Sequence, residues 1–475
     1  MLWLGGKGLN LSGDFKKDTR IIEEKLRIDK SFDLLYKDLK FKNFYGRYYF
    51  VDGFVKDGVI EKMTEYILQN GKNDMSAQEF CDEFITYMEA DLISDIDKII
   101  TEIFSGNLIL IIDGMATAIN IGARTYFVRG IEEPQNDQVL RGSRDGFNES
   151  IITNTTLLRR RIRDANLTME YHQIGTKTKS DIVICYMENM VNKDILKKLR
   201  HRLINSQVSA VTLGHESIAE LIKKKSFLNP FPKIRYTERP DMAAANVLEG
   251  KIILLIDNSP CAMILPTFFF DFSEDTNDYY FSPLLGTYLR IVRLLVFAAT
   301  IFFIPLWMLI IKYPDILPTE LSFLIPQKLG LPVIIQVLIV EFVIDGLKLA
   351  SLNTPSSLSH SFSVVAALIL GEMAVTVKWF SPHVLLYCGF SAIANFTQPS
   401  YELGYAFKFY RIILSVLVAL FGVYGFLGGV VLMVLNISLT KTVTGESYIF
   451  PLIPFDKKAF LQIIRRQKIQ KSKYN

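Results

Sequence analysis

Residues 291–311 read IVRLLVFAATIFFIPLWMLII, a run whose one charge is Arg293. A helix needs about 20 mostly apolar residues to cross the hydrocarbon of a bilayer, and this run has that length. Pro305 interrupts it, which neighbouring helices can accommodate. Further apolar runs follow at 361–377, 383–396 and 411–439, whereas charges are dense from Asp14 to Glu274 and become sparse until Lys457. This segregation predicts an α/β soluble N-terminal region of two subdomains, followed by a polytopic α-helical membrane domain. The expected divisions are a flexible arm at 1–20, cytoplasmic subdomains at 21–140 and 141–285, membrane helices at 286–440 and a basic tail at 441–475.

Arg290 and Arg293 at the start of the first run, and Lys457, Lys458, Arg465 and Arg466 in the tail, place both ends on the cytoplasmic side by the positive-inside tendency. The number of crossings is then even. Four fit if 331–349 does not cross, and six fit if it crosses and 411–439 is a hairpin; four is the preferred reading. The last run is expected as one long tilted helix or as two hinged at Gly428-Gly429. In 331–349, Glu341, Asp345 and Lys348 fall on one helical face, which suggests an amphipathic helix at the interface or beside a wet cavity.

The soluble region has its own patterns. Residues 16–104 read as largely helical, with apolar residues three and four apart, as in Phe84, Met88, Leu92 and Ile96. Strands are expected at 108–112, closing on the turn signal Asp113-Gly114, and at 118–121 and 125–128. Further on, strands at 181–187, 208–213 and 233–237 alternate with helices at 193–204, 216–225 and 241–248, as in a mixed α/β domain. The segment IILLIDNSP at 252–260 repeats LILIIDG at 108–114. Each subdomain is therefore expected to present a similar hairpin, with a junction near 134–146.

Other classes are disfavoured. A net charge of +4, with no basic strip interleaved with aromatics, gives no reason to expect a nucleic-acid partner. Cys81, Cys185, Cys261 and Cys388 show no C-x-x-C spacing, so neither zinc nor a disulfide framework is expected, and a reducing compartment fits. No signal-peptide core follows Met1. The five histidines lack metal-ligand spacing. There is no P-loop, dinucleotide fingerprint or G-x-S-x-G, so neither a cofactor nor an enzyme is expected.

Five stretches stand out: VLRGSRDGFNES from Val139, LLRRRIRD from Leu157, ERPD from Glu238, SFSVVAALILGEMAV from Ser361 and NFTQPSYELGYAFKFYR from Asn395. In this order they resemble the A-subunit family of spore germination receptors, the GerA family, over nearly the whole chain after Asp29. The forms GSRDGF and TQPSYELGYAFKF are more similar to a sporulation branch of that family than to its nutrient-receptor subunits. The resemblance implies a protein of the spore inner membrane, acting with receptor B and C subunits or with a small membrane partner. Oligomeric ion-channel assembly and ion release in germination are its implied mechanism and outcome.

The residues themselves leave alternatives open. Ser363, Ala367 and Gly371 recur every fourth residue, a small-residue face that serves either simple packing or a ring of helices around a pore. In the second case Glu372 stands at one mouth and selects cations. Glu341 and Asp345 line an ion path or face interfacial water. Arg141, Arg144 and Asp145, beside Gly142 and Gly146, either bind a carboxylate or phosphate or tie a linker to neighbouring subdomains. Arg159, Arg160, Arg161 and Arg163 are expected as a solvated helix face. The function expected first is a homo-oligomeric, lipid-embedded channel subunit; a membrane-anchored sensor or scaffold without its own pore is the second.

Overall fold

A computed structural model describes residues 9–464 apart from 42–43, 71–74, 126–138, 207, 224–228, 276, 317, 327–329 and 354–373. The chain forms two compact units, one from Met1–Lys224 and Tyr236–Pro266, the other from Lys225–Arg235 and Thr267–Ile469.

The first unit is built twice from one plan. Its first half runs α1 (Phe15–Leu26), β1 (Leu34–Phe41), β2 (Phe44–Val51), α2 (Asp57–Asn70), α3 (Ala77–Phe84), β3 (Ala90–Ile93), α4 (Ile96–Phe104), β4 (Leu108–Ile112) and β5 (Ala118–Ile121). Its second half repeats the order as α5 (Ile151–Arg161), β6 (Leu167–Ile174), β7 (Ser180–Met187), α6 (Lys193–Ile204), α7 (His215–Ile222), β8 (Arg235–Thr237), α8 (Pro240–Leu248), β9 (Ile252–Ile256) and β10 (Ala262–Leu265). The sheets have the orders β1-β2-β4-β5-β3 and β6-β7-β9-β10-β8, the same topology twice.

The repeated apolar segments are the corresponding central strands. In β4, Leu108, Leu110 and Ile112 pack with α2 and α3 through Ile60, Met63 and Phe80, while Ile109 and Ile111 pack with α1 and α4 through Ile22 and Ile99. Successive side chains point to opposite faces, so helices on both faces require an unbroken apolar strand. In the second half, Ile253 and Leu255 of β9 pack with Leu157, Leu158, Ala243 and Val247 of α5 and α8.

Several expectations are corrected. Residues 16–104 are not one helical region, because β1 and β2 form an antiparallel hairpin from Leu34↔Val51 to Phe41↔Phe44. The Phe84-to-Ile96 spacing is not a helix face. The helix α3 ends at Phe84, Met88 is fully exposed, Leu92 lies in β3, and Asp95 caps α4 by accepting from the amides of Asp97 and Lys98. Residues 208–213 are not a strand; the amides of Thr176 and Lys177 donate to Val208 O at 3.0 Å and Ser209 O at 2.8 Å. Of 125–128, Thr125 is not in a strand and the rest lies outside the described residues. Within 1–20, Leu11 is buried and its amide donates to Ser94 O at 2.9 Å.

The second unit is helical, with α9 (Asn277–Tyr280), α10 (Pro283–Lys312), α11 (Val333–Asn353), α12 (Pro382–Phe396), α13 (Tyr401–Phe421), α14 (Val423–Leu439) and α15 (Lys457–Ile464). Two of these, α10 and α13, are long and apolar enough to cross a membrane. The helix over 383–396 is α12, whose 15 residues span about 22 Å at 1.5 Å per residue, short of a hydrocarbon core of about 30 Å. The run 411–439 is neither one helix nor hinged at Gly428-Gly429. It breaks at Gly422, whose φ of +60° and ψ of −132° suit only glycine. Most of 361–377 lies outside the described residues.

Candidate functional site

The second unit holds charges where its sequence is otherwise apolar. Glu341 of α11 is 2% exposed. Arg411 of α13 donates to its carboxylate from Nε at 2.9 Å and from Nη2 at 3.0 Å, a two-pronged pair. The remaining Arg411 nitrogen, Nη1, donates to Thr300 O on α10 at 2.9 Å. Pro305 removes the amide that would bond Ile301 O, so the guanidinium meets α10 one residue from the break in its ladder.

Lys408, one turn before Arg411, sits between the two acids. Its Nζ donates to Glu341 O at 3.0 Å and lies 3.1 Å from Glu341 Oε2 and 2.6 Å from Asp345 Oδ1. The Asp345 side chain is 37% exposed, the wettest member of the group. Lys348, one turn further on, lies over the rings of Phe396 at 4.5 Å and Tyr405 at 5.5 Å. The spacing of four between the acids and three between the bases puts each pair on one helical face.

Glu341 therefore faces an internal ion cluster rather than interfacial water. Lys408 and Arg411 were not singled out as site residues. Their signal was two basic residues three apart, leading into the apolar run of α13, opposite two acids four apart in another apolar segment. Ser363, Ala367, Gly371 and Glu372 lie outside the described residues.

The first unit brings three of the conspicuous stretches together. Arg161 of LLRRRIRD donates from Nη2 to both Asp145 oxygens at 2.7 Å and to Ser143 Oγ at 3.0 Å. Arg239 of ERPD, fully buried, donates to Ser143 O at 2.9 Å and to Asp241 Oδ2 at 2.6 Å. The Phe147 amide donates to Glu238 O at 2.8 Å. Burial works to raise the Asp145 carboxyl, but hydrogen bonds from Arg161 and Ser143 overcome it and hold the group below its usual range. Arg141 and Arg144 are exposed on the same segment.

Arg159 is not part of a solvated face. It is fully buried, donating to Asp33 at 2.6 and 3.0 Å, Ser31 Oγ at 3.1 Å and the carbonyls of Asp164 and Leu167 at 3.1 and 3.0 Å. Its hydrogen-bond partners Ser31 and Asp33 sit at the entrance to β1, and its guanidinium lies over the Phe104 ring at 5.3 Å. Two bonds to Met169 flank the pair, with Phe32 N donating to Met169 O at 3.1 Å and Met169 N to the Ser31 side chain Oγ at 3.1 Å. This segment pairs the outer edge of β6 at Met169, whose groups would otherwise be unpaired.

The fold and site define a class of two-part protein, a duplicated α/β unit followed by an apolar helical unit with charged side chains buried between its helices. The chain belongs to the Bacillus/Clostridium GerA spore germination protein family, whose sequence profile matches residues 21–475. It is 33% identical over 454 residues to Stage V sporulation protein AF of Bacillus subtilis (strain 168), covering 95% of this chain and 92% of that one. It is 27% identical to Spore germination protein KA of the same organism, covering 92% and 82%. The crystal structure of the N-terminal domain of the A subunit of the Bacillus megaterium spore germinant receptor GerK3 matches 56% of this chain and 99% of that chain, at 26% identity and a TM-score of 0.43.

Proposed function

We propose that this chain is a membrane subunit of a spore germination assembly, oligomerising to form or gate an ion path through which ions leave during germination. The α/β unit would lie on the cytoplasmic, spore-core side of the spore inner membrane, and the assembly would include a small membrane protein or receptor B and C subunits. No enzymatic step is part of this role.

The observation that carries the reading is the Glu341, Asp345, Lys408 and Arg411 cluster. Ionisable groups among apolar helices are costly and mark ion pathways or gates by default. The outward faces of the helices support a lipid setting, with Leu295, Leu386, Ile393 and Leu420 exposed, since exposed apolar surface of this extent marks an interaction surface. A non-conducting sensor or scaffold is the second reading, favoured by Glu341 being fully paired within the chain.

The two separate in spores whose own copy is replaced by a Glu341→Gln/Arg411→Gln variant that leaves an uncharged amide at each position and removes both charges. A gate that uses the charges predicts altered ion-release kinetics with unchanged protein level. Unaltered release at unchanged level contradicts it.

A further inference from the structure

A second polar group lies on α12. Ser391 and Asn395 are four residues apart, so both fall on one face of the helix, and Gln398 follows just past its C-terminal cap, Thr397. Ser391 is 0% and Gln398 8% exposed. Among the described residues, Ser391 Oγ, Asn395 Oδ1 and both amide atoms of Gln398 have no hydrogen-bond partner. The contrast with neighbouring helices is direct. The buried hydroxyls of Ser415 and Thr300 satisfy themselves by donating to the carbonyls of Arg411 and Val296, each at 2.8 Å, whereas Ser391 makes no such back-bond.

The two amides converge on Gly404 of α13, where a methyl group would stand 2.9 Å from Asn395 Oδ1 and 3.2 Å from Gln398 Oε1. Leaving a buried polar group without a partner costs about 1–3 kcal/mol, and several together call for a ligand. The unpaired atoms include a donor, Gln398 Nε2, as well as acceptors. A bare cation would be repelled by that donor and an anion by the acceptors. Water both donates and accepts.

We infer that Ser391, Asn395 and Gln398 form a hydration site that makes this part of the helical unit wet. The inference rests on the proposed ion path in one respect, since it gives that path a hydrated wall. Three residues away Cys388 provides a dry reference, equally buried but packed within the apolar cluster of Ile304, Val337, Val384 and Val418.

The test uses the full chain in lipid vesicles carrying Ser391→Cys, with Ag+ as the probe and peptide mass spectrometry to locate modification. The result expected is modification at position 391 at least ten-fold faster than at Cys388. Equal, slow rates at both would overturn the inference. Gln398→Met, which keeps the length and removes both polar ends, gives an independent reading. A wet site predicts a lower melting temperature, and an unchanged or higher one contradicts it, because deleting an unpaired amide from a dry core stabilises. Ion flux through the same vesicles is scored separately. Fast labelling without flux keeps the hydration site and removes the ion path, whereas flux with a dry position 391 does the reverse.

Discussion

Arg411 is the residue on which the helical unit turns, because its single guanidinium bonds Glu341 of α11 and Thr300 of α10. Removing one partner of a buried pair leaves an uncompensated charge and costs about 3–5 kcal/mol, while removing both is much milder. Arg411→Met should therefore lower the thermal stability of the purified chain, by less than that amount because Lys408 remains 3.1 Å from Glu341 Oε2. Adding Glu341→Gln should restore part of it, and a double-mutant cycle measures the coupling. Asp33→Asn should be similarly damaging through Arg159. At Glu170, burial works to raise the carboxyl, but the His172 ring 3.7 Å away and hydrogen bonds from Arg200 and Tyr186 hold it at about 2. A depressed carboxylate stabilises the fold above its unfolded value of about 4.3, and that contribution is lost as pH falls through about 2. Melting temperature should accordingly fall more steeply over that window in the native chain than in Glu170→Gln.

At the scale of elements, the α13–α14 hairpin depends on which glycines are bare for a reason. The residue Gly425 faces the Leu417 backbone, and Gly429 the Leu414 and Leu417 side chains, a four-residue spacing that lets helices approach closely. A methyl group on Gly428 would meet none of the described residues beyond its own helix backbone within 4 Å. Gly425→Ala and Gly422→Ala should destabilise, the latter by about 1–3 kcal/mol from its backbone conformation. Gly428→Ala should be neutral or gain up to about 1 kcal/mol of helix propensity. Thermal melts of the three variants check the order.

The same contrast explains what the sequence made legible. LILIIDG and IILLIDNS were readable as hairpins because strands covered on both faces are continuously apolar and end in turn residues. The hairpin of β1 and β2 was not, since Lys37, Asp38, Lys40 and Arg47 on an edge pair break the alternation. Arg159 was hidden in a row of arginines, of which the helical period turns only one fully inward. Glu341 stood out as a charge in an apolar segment, but its partner is 70 residues away, and only tertiary packing brings the two together.

For the whole molecule, the first unit is a duplicated fold whose two halves repeat even the turn contact, with Asp113 N donating to Tyr45 O at 2.9 Å and Asp257 N to Asp181 O at 3.0 Å. The Arg159–Asp33 pair and the Arg27–Glu188 contact at 3.4 Å join those halves, which suits a rigid platform better than a hinge. The second unit brings Glu341, Asp345, Lys408 and Arg411 together where α10, α11 and α13 meet. This arrangement, with membership of the GerA family, is the ground on which we propose an ion path in the helical unit. The most direct measurement is ion flux from lipid vesicles containing the purified full-length chain with the proteins that co-purify with it. The account predicts a K+ efflux that the Glu341→Gln/Arg411→Gln variant changes at equal incorporation; efflux no greater than from empty vesicles would contradict it.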